Sequence, residues 1–152
     1  MKIVVALDLT EAAEQIVLSL AKRRWQADTE FKLLTVLEPI KYLPTREKVS
    51  QCQIAQLESK RHQIALLKLS KLRKTLQDAV PDCHVHTDIR TGPAREEIVK
   101  ASGEWMADKL IAGAHGHADN RLLGCTPRRL VEETPCTVEL VRLNAEPTEA
   151  YR

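Results

Sequence analysis

Lys109-Leu110-Ile111-Ala112-Gly113-Ala114-His115-Gly116-His117-Ala118-Asp119-Asn120-Arg121-Leu122-Leu123-Gly124-Cys125-Thr126-Pro127 is the stretch that decides the fold. It opens on a short apolar run that reads as a buried strand. Two glycines follow at once, then a polar loop, then a third glycine. Thr126 and Pro127 read as a helix start. A strand that feeds a glycine-bearing loop ending at a helix N-terminus is a place to bind phosphate. The glycines let backbone N–H groups approach an anion, and the helix end adds unpaired donors and a positive dipole end. The same glycines would also serve a plain strand-to-helix connection that needs φ > 0.

Outward from that stretch, strands and helices alternate. Residues 2–7 are almost wholly apolar and β-branched, the mark of a strand covered on both faces. Asp8 or Thr10 can cap the helix that follows, with Glu11 and Glu14 in its first turns. That helix is predicted to reach Arg24, with Ala13, Ile16, Val17, Leu20 and Ala21 on one face. Residues 31–37 are the second strand, stopped by Glu38-Pro39. Residues 40–46 are a loop, and one long helix is predicted over 47–79. Its apolar stripe is Ala65, Leu69, Leu72, Leu76 and Val80. Lys60, Arg61, Lys68, Lys71, Arg73 and Lys74 lie mostly off the stripe, as an interaction face or a solvated surface.

Residues 83–90 alternate more than the other strands, which places that strand nearer an edge. A short helix is predicted from Pro93 to Ser102, ended by Gly103. A fourth strand covers 107–112, a last helix opens at Thr126-Pro127 with Leu130 and Val131 inward, and a fifth strand covers 136–143. The order βαβαβαβαβ predicts an α/β fold, a five-stranded parallel sheet with helices on both faces. In such sheets ligands bind beyond the carboxyl ends of the strands, where the strand order reverses. Asp8, Val36 and Gly113 stand at three of those ends.

Composition sets bounds. The 152 residues suit one domain, 1–143, with a loose tail at 144–152. A formal net charge of +2 gives no footing for nucleic acid or an anionic membrane. One Phe, two Tyr and two Trp are too few for a single-strand stacking platform. No apolar run is long enough to cross a bilayer, and no signal peptide is evident. Cys52, Cys83, Cys125 and Cys136 form no C-x-x-C and read as reduced thiols of a cytoplasmic protein. His84 and His86 share one strand face near Cys83. They fit surface histidines better than a metal site, since no fourth ligand is evident. No Ser-His-Asp set, Walker A lysine or G-x-G-x-x-G pattern is present.

Four pieces together make the chain resemble the universal stress protein family over nearly its whole length. They are Ile3-Val4-Val5-Ala6-Leu7-Asp8, Leu33-Leu34-Thr35-Val36-Leu37-Glu38-Pro39, Gly92-Pro93-Ala94-Arg95-Glu96-Glu97-Ile98-Val99, and the run from Asp108 through Gly116 to Pro135-Cys136-Thr137-Val138-Glu139-Leu140-Val141-Arg142. The resemblance implies a Rossmann-like fold of the adenine nucleotide alpha hydrolase-like type. It implies a regulatory, stress-response module that binds ATP or a related adenine nucleotide, with Mg2+ as the ion that could accompany it. Asp8 and Val36 would hold the adenosine half; Gly113, His115, Gly116, Gly124, Cys125 and Thr126 would surround the phosphates. The ATP-binding branch of the family reads G-x2-G-x9-G-[ST] here. In this chain Gly113 and Gly116 match, but only seven residues separate Gly116 from Gly124, and Cys125 stands where Ser or Thr is expected. The resemblance further implies a homodimer through residues 137–142 and an unidentified protein partner. No strong general base is visible, so ATP hydrolysis, if any, would be slow. The alternative from the same residues is a dimer that binds no nucleotide and acts through protein–protein contact.

Overall fold

Nothing charged interrupts Ile3, Val4 and Val5, and the folded chain removes all three completely from solvent. They form the middle of β1 (Lys2–Ala6), the central strand of the sheet. The structure is a computed structural model, in which residues 1–40, 50–114 and 125–142 are described, Cys125 by its backbone alone. After β1 come α1 (Glu11–Ala21), β2 (Glu30–Leu37), α2 (Gln51–Ala79), β3 (His84–Thr91), α3 (Ala94–Glu104), β4 (Lys109–Gly113), α4 (Cys125–Glu133) and β5 (Thr137–Val141). All strands pair in parallel, in the order β3-β2-β1-β4-β5. This is the sheet that the strand–helix alternation predicts. The third strand lies at an edge, as its alternation predicts, with His84 and His86 exposed on one face.

Side chains alternate across the pleat, so each buried strand feeds two cores. Ile3, Val5, Phe31, Leu33, Val85 and Ile111 pack against Ile16, Val17 and Leu20 of α1 and Leu69, Leu72 and Leu76 of α2. Val4, Leu34, Leu110 and Ala112 pack against Ile98 and Ala101 of α3 and Leu130 of α4. The predicted stripe of α2 is buried in full, Ala65 to Val80. Among the described residues no helix is long and apolar enough to cross a membrane. Cys52, Cys83 and Cys136 are free thiols. Burial pushes the Cys83 and Cys136 thiols up from their ordinary value, which keeps them protonated.

The structure corrects several element ends, each for a local reason. The long helix starts at Gln51, not at residue 47. Ser50 caps it, accepting the Gln53 N–H while the Gln53 side chain accepts the Ser50 N–H. Residues 41–49 lie outside the described residues, and with them most of the predicted 40–46 loop. The first helix stops at Ala21 rather than Arg24, because the Trp25 indole donates to the Leu20 carbonyl at 2.9 Å. That frees Arg23 to pair with Glu139 on β5. Residues 107 and 108 precede β4: the Asp108 carboxylate accepts the Lys2 N–H, and its own N–H donates to the Lys2 carbonyl. Leu130 is buried but Val131 is 53% exposed, since neighbours on a helix point about 100° apart. The fifth strand is shorter than predicted, and Leu143 and the 144–152 tail lie outside the described residues.

Gly103 does not end α3. The helix runs on to Glu104, and Met106 takes the left-handed conformation (φ +52°) that closes it. The Met106 N–H donates to the Gly103 carbonyl at 3.0 Å and the Ala107 N–H to the Ser102 carbonyl at 2.9 Å. This is the Schellman pattern, with methionine in the seat that glycine usually takes. Met106 is 75% exposed, so its side chain contributes little packing. Met106→Gly is therefore expected to stabilise the fold by about 0.5–1 kcal/mol, the left-handed penalty outweighing glycine's extra chain entropy. Urea unfolding would check this; a lower midpoint in the variant would refute it.

Candidate functional site

β1 and β4 are neighbours at the centre of the sheet, yet their crossovers leave in opposite directions. The chain leaves β1 through α1 for β2 on one side and leaves β4 through α4 for β5 on the other. Between them, past the carboxyl ends of the strands, lies a cavity of about 270 Å³. Asp8, Val36, Gly113 and Thr126 all line it. These four predicted residues, the outermost two of them Asp8 and Thr126, come together at the point where the strand order reverses. His115, Gly116, Gly124 and the Cys125 side chain lie outside the described residues.

The rest of the lining is apolar. Ala6, Leu7, Ile16, Leu34, Ile98, Ala112 and Leu130 form walls, with Ala94 and Pro127 at two helix starts. Sequence reading did not assign these to a site. Leu130 reads only as an inward-facing helix residue, and Ile98 only as part of the Gly92–Val99 piece. The missing signal was position: both lie within about the first two turns of helices that start at the cavity's rim.

Asp8 ends β1 in an exposed turn. Its Oδ1 accepts the Thr10 N–H at 3.1 Å and the Thr10 hydroxyl at 2.7 Å. Thr10 occupies the N-cap position of α1, as expected, but makes no side-chain capping bond. The Asp8 carboxylate braces its own turn and keeps Oδ2 for a further donor. Between them Leu9 sits at φ +62°, a conformation leucine rarely adopts, and its carbonyl accepts from the Lys68 ammonium at 3.0 Å. The neighbouring strand is tied in as well. The Leu7 N–H donates to the Leu34 carbonyl at 2.8 Å, and the buried Thr35 hydroxyl donates to the Leu7 carbonyl at 2.9 Å.

That last bond shapes the cavity. The Leu34 backbone faces β1, so by strand alternation the Val36 N–H and C=O face the same side. β1 has already ended there, and the Leu7 carbonyl is taken by Thr35. Val36 thus offers one backbone donor and one acceptor toward the cavity, beside an apolar wall. At the far side, α4 begins at Cys125, one residue before the predicted start. Of its first four positions, Pro127 lacks an N–H, and the other three carry one each. The start of α3 differs: the Glu38 carboxylate already accepts the Ala94 N–H at 3.2 Å. Gly92, just before it, has φ +150°, and a Cβ there would come within 3.0 Å of the Glu97 side chain.

His84 and His86 are not part of this site. His86 lies 3.6 Å from Glu30 and stacks edge-on to Trp105. Among the described residues no three His, Cys, Asp or Glu side chains gather where they could hold a metal ion.

A model of the universal stress protein family matches residues 1–142. Universal stress protein A homolog 2 from Coxiella burnetii is 28% identical over 79 residues, 49% of this chain and 54% of that relative. The match thus spans about half of the relative's length. The solved structure of hypothetical protein MJ0577 is similar with a TM-score of 0.80 at 25% identity, covering 95% of this chain and 97% of that one. A universal stress protein family protein from Arabidopsis thaliana, solved with AMP bound, is similar with a TM-score of 0.63 at 18% identity, covering 99% and 97%.

Thr35 is the link between the sheet and the cavity's backbone groups. Thr35→Val keeps the shape but leaves the buried Leu7 carbonyl without its donor. A loss of about 1–3 kcal/mol in unfolding free energy is expected. Denaturant titration would show it, and an unchanged midpoint would contradict the assigned bond.

Proposed function

The chain belongs to the universal stress protein family, and from that premise we propose that it is a regulatory module that binds ATP or a related adenine nucleotide. The observation that carries the reading is the meeting of Asp8, Val36, Gly113 and Thr126 around one apolar cavity at the switch point of the sheet. The AMP bound in the Arabidopsis thaliana structure of like fold supports it. Adenine is flat and apolar on its faces and carries donors and acceptors on its edge. The Ile98 and Leu130 walls suit the faces; the Val36 N–H and C=O suit the edge. Asp8 Oδ2 is placed to accept from a ribose hydroxyl, with the turn already braced by Thr10. Phosphates would run toward Gly113 and the start of α4, where backbone donors and the helix dipole favour an anion. Mg2+ would come with a di- or triphosphate, held by phosphate oxygens and water.

Hydrolysis is at most slow in this reading. Asp8 is the one carboxylate lining the cavity among the described residues, and half of it is spent on Thr10. Binding then works by stabilising one conformation or one complex. The spacing between Gly116 and Gly124 is shorter than the family pattern, so in this reading the adenosine half carries most of the affinity. Calorimetry with ATP, ADP and AMP should give dissociation constants within about tenfold of one another. Asp8→Ala should weaken all three by about 1–3 kcal/mol, as a charge-assisted bond does. No heat from any of them at millimolar concentration, on folded protein, would replace this reading with a nucleotide-free interaction protein.

The same family reading includes a homodimer through residues 137–142. Among the described residues β5 is an edge strand with one ladder side open, and Val138 and Leu140 are half-buried. An open parallel-sheet edge with apolar side chains is prone to uncontrolled pairing, and a two-fold contact covers it on both copies. Val138→Pro removes a backbone donor and should shift the protein from dimer to monomer. Light scattering at micromolar concentration would decide; a monomeric wild type ends the idea.

A further inference from the structure

The first half of α2 has no core. None of residues 51–64 is buried, so about 21 Å of helix runs along the molecule without packing an apolar face inward. A bare helix of that length is marginal in water, because most helical stability in proteins comes from an apolar face that packs. Its apolar residues face outward instead. Leu57, Ile64 and Leu67 are 49%, 52% and 73% exposed. With Lys60, Lys71 and Lys74 they recur at spacings of three and four along one outer line. The spacing is that of a coiled-coil seam, with apolar residues at three of its six positions and lysines at the other three, on the face away from the buried stripe of Ala65, Leu69, Leu72 and Leu76.

Charge selects the occupant. Residues 51–79 carry six Lys and Arg against two carboxylates. A second copy would bring the same excess to the same contact, and the repulsion opposes it. An anionic membrane needs a broad apolar face with cations at its margins. Here the lysines stand inside the seam, and the apolar line is only one side chain wide. Lysines within a seam suit a partner helix, whose carboxylates can reach them while its leucines fill the gaps between. Lys71 already takes a carboxylate this way, from Glu14 at 2.7 Å. Lys60 and Lys74 are exposed.

We propose that the outer face of α2 docks an acidic amphipathic helix of another protein along the Leu57–Lys60–Ile64–Leu67–Lys71–Lys74 line. The partner presents apolar side chains at heptad spacing and carboxylates beside them. This surface is separate from the cavity and does not depend on nucleotide binding.

The test uses the full chain and a fluorescein-labelled synthetic peptide of three heptads, with Leu at a and d and Glu at e and g. A control peptide carries Lys at e and g. Anisotropy should show micromolar binding of the acidic peptide and at least about tenfold weaker binding of the basic one. The double variant Lys60→Glu, Lys74→Glu should invert that preference. Leu67→Asn, at an exposed position that leaves the core untouched, should weaken the acidic peptide by about tenfold. Thermal melts would confirm that both variants are folded. Equal binding of the two peptides, or none, overturns the proposal. Self-association that Leu67→Asn abolishes and Val138→Pro does not would assign the face to a second copy instead. Binding to phosphatidylserine vesicles without binding to the acidic peptide would assign it to a membrane.

Discussion

β1 depends on neighbours on every side, and the rest of the molecule depends on it. It hydrogen-bonds to β2 on one edge and β4 on the other, and its side chains fill both cores. A parallel strand cannot be joined to its neighbour by a tight turn, so each connection must cross a face of the sheet. The two crossovers that flank the β1–β4 pair diverge, and the gap they leave is the cavity. The site is thus a consequence of the strand order and not a separate feature added to it. The chain adds only what lines the gap: one carboxylate, one free pair of backbone groups, glycine and a helix start.

The path from Thr35 to Asp8 shows how the sheet sets the site. Thr35 donates to the Leu7 carbonyl where the β1–β2 pairing ends, and by strand alternation the Val36 backbone beyond it faces the cavity. Leu9 is held left-handed with its carbonyl on Lys68, and Asp8 and Thr10 close the turn between them. A rare conformation persists only where its surroundings hold it, and here a strand, a hydroxyl and a distant helix all contribute. The turn that carries Asp8 is therefore set by residues from β2 and α2 as much as by its own sequence.

Much of this was legible in the sequence. Apolar runs that repeat between amphipathic stretches point to the sheet, the carboxyl-end rule groups Asp8, Val36 and Gly113, and the family resemblance adds Thr126 from the helix start. Element ends were less legible. Periodicity locates the middle of a helix, but its end is settled by single hydrogen bonds. Ser50 and Gln53 start α2, Trp25 stops α1, and Met106 rather than Gly103 closes α3. Glycine's conformational freedom suits a stop, yet the stop lies with Met106, which lacks that freedom. The cavity walls were not legible because Ile98 and Leu130 look like any inward helix residue. What makes them walls is where α3 and α4 begin, which is a property of the packed molecule.

The position of β1 also bears on how the chain folds as it is made. Of the five strands, β1 is made before the others, and it is the one that needs partners on both sides. β2 follows soon, but β4 begins only at Lys109, after α2, β3 and α3 have been synthesised. At typical elongation rates that interval lasts on the order of several seconds. Through it one edge of Ile3, Val4 and Val5 stays open in the nascent chain, an unpaired apolar strand of the kind that chaperones and aggregates both recognise. Long-range pairing of this sort is slow for reasons of chain entropy. The central strand that gives the finished protein its site thus waits for a partner that is made about a hundred residues later.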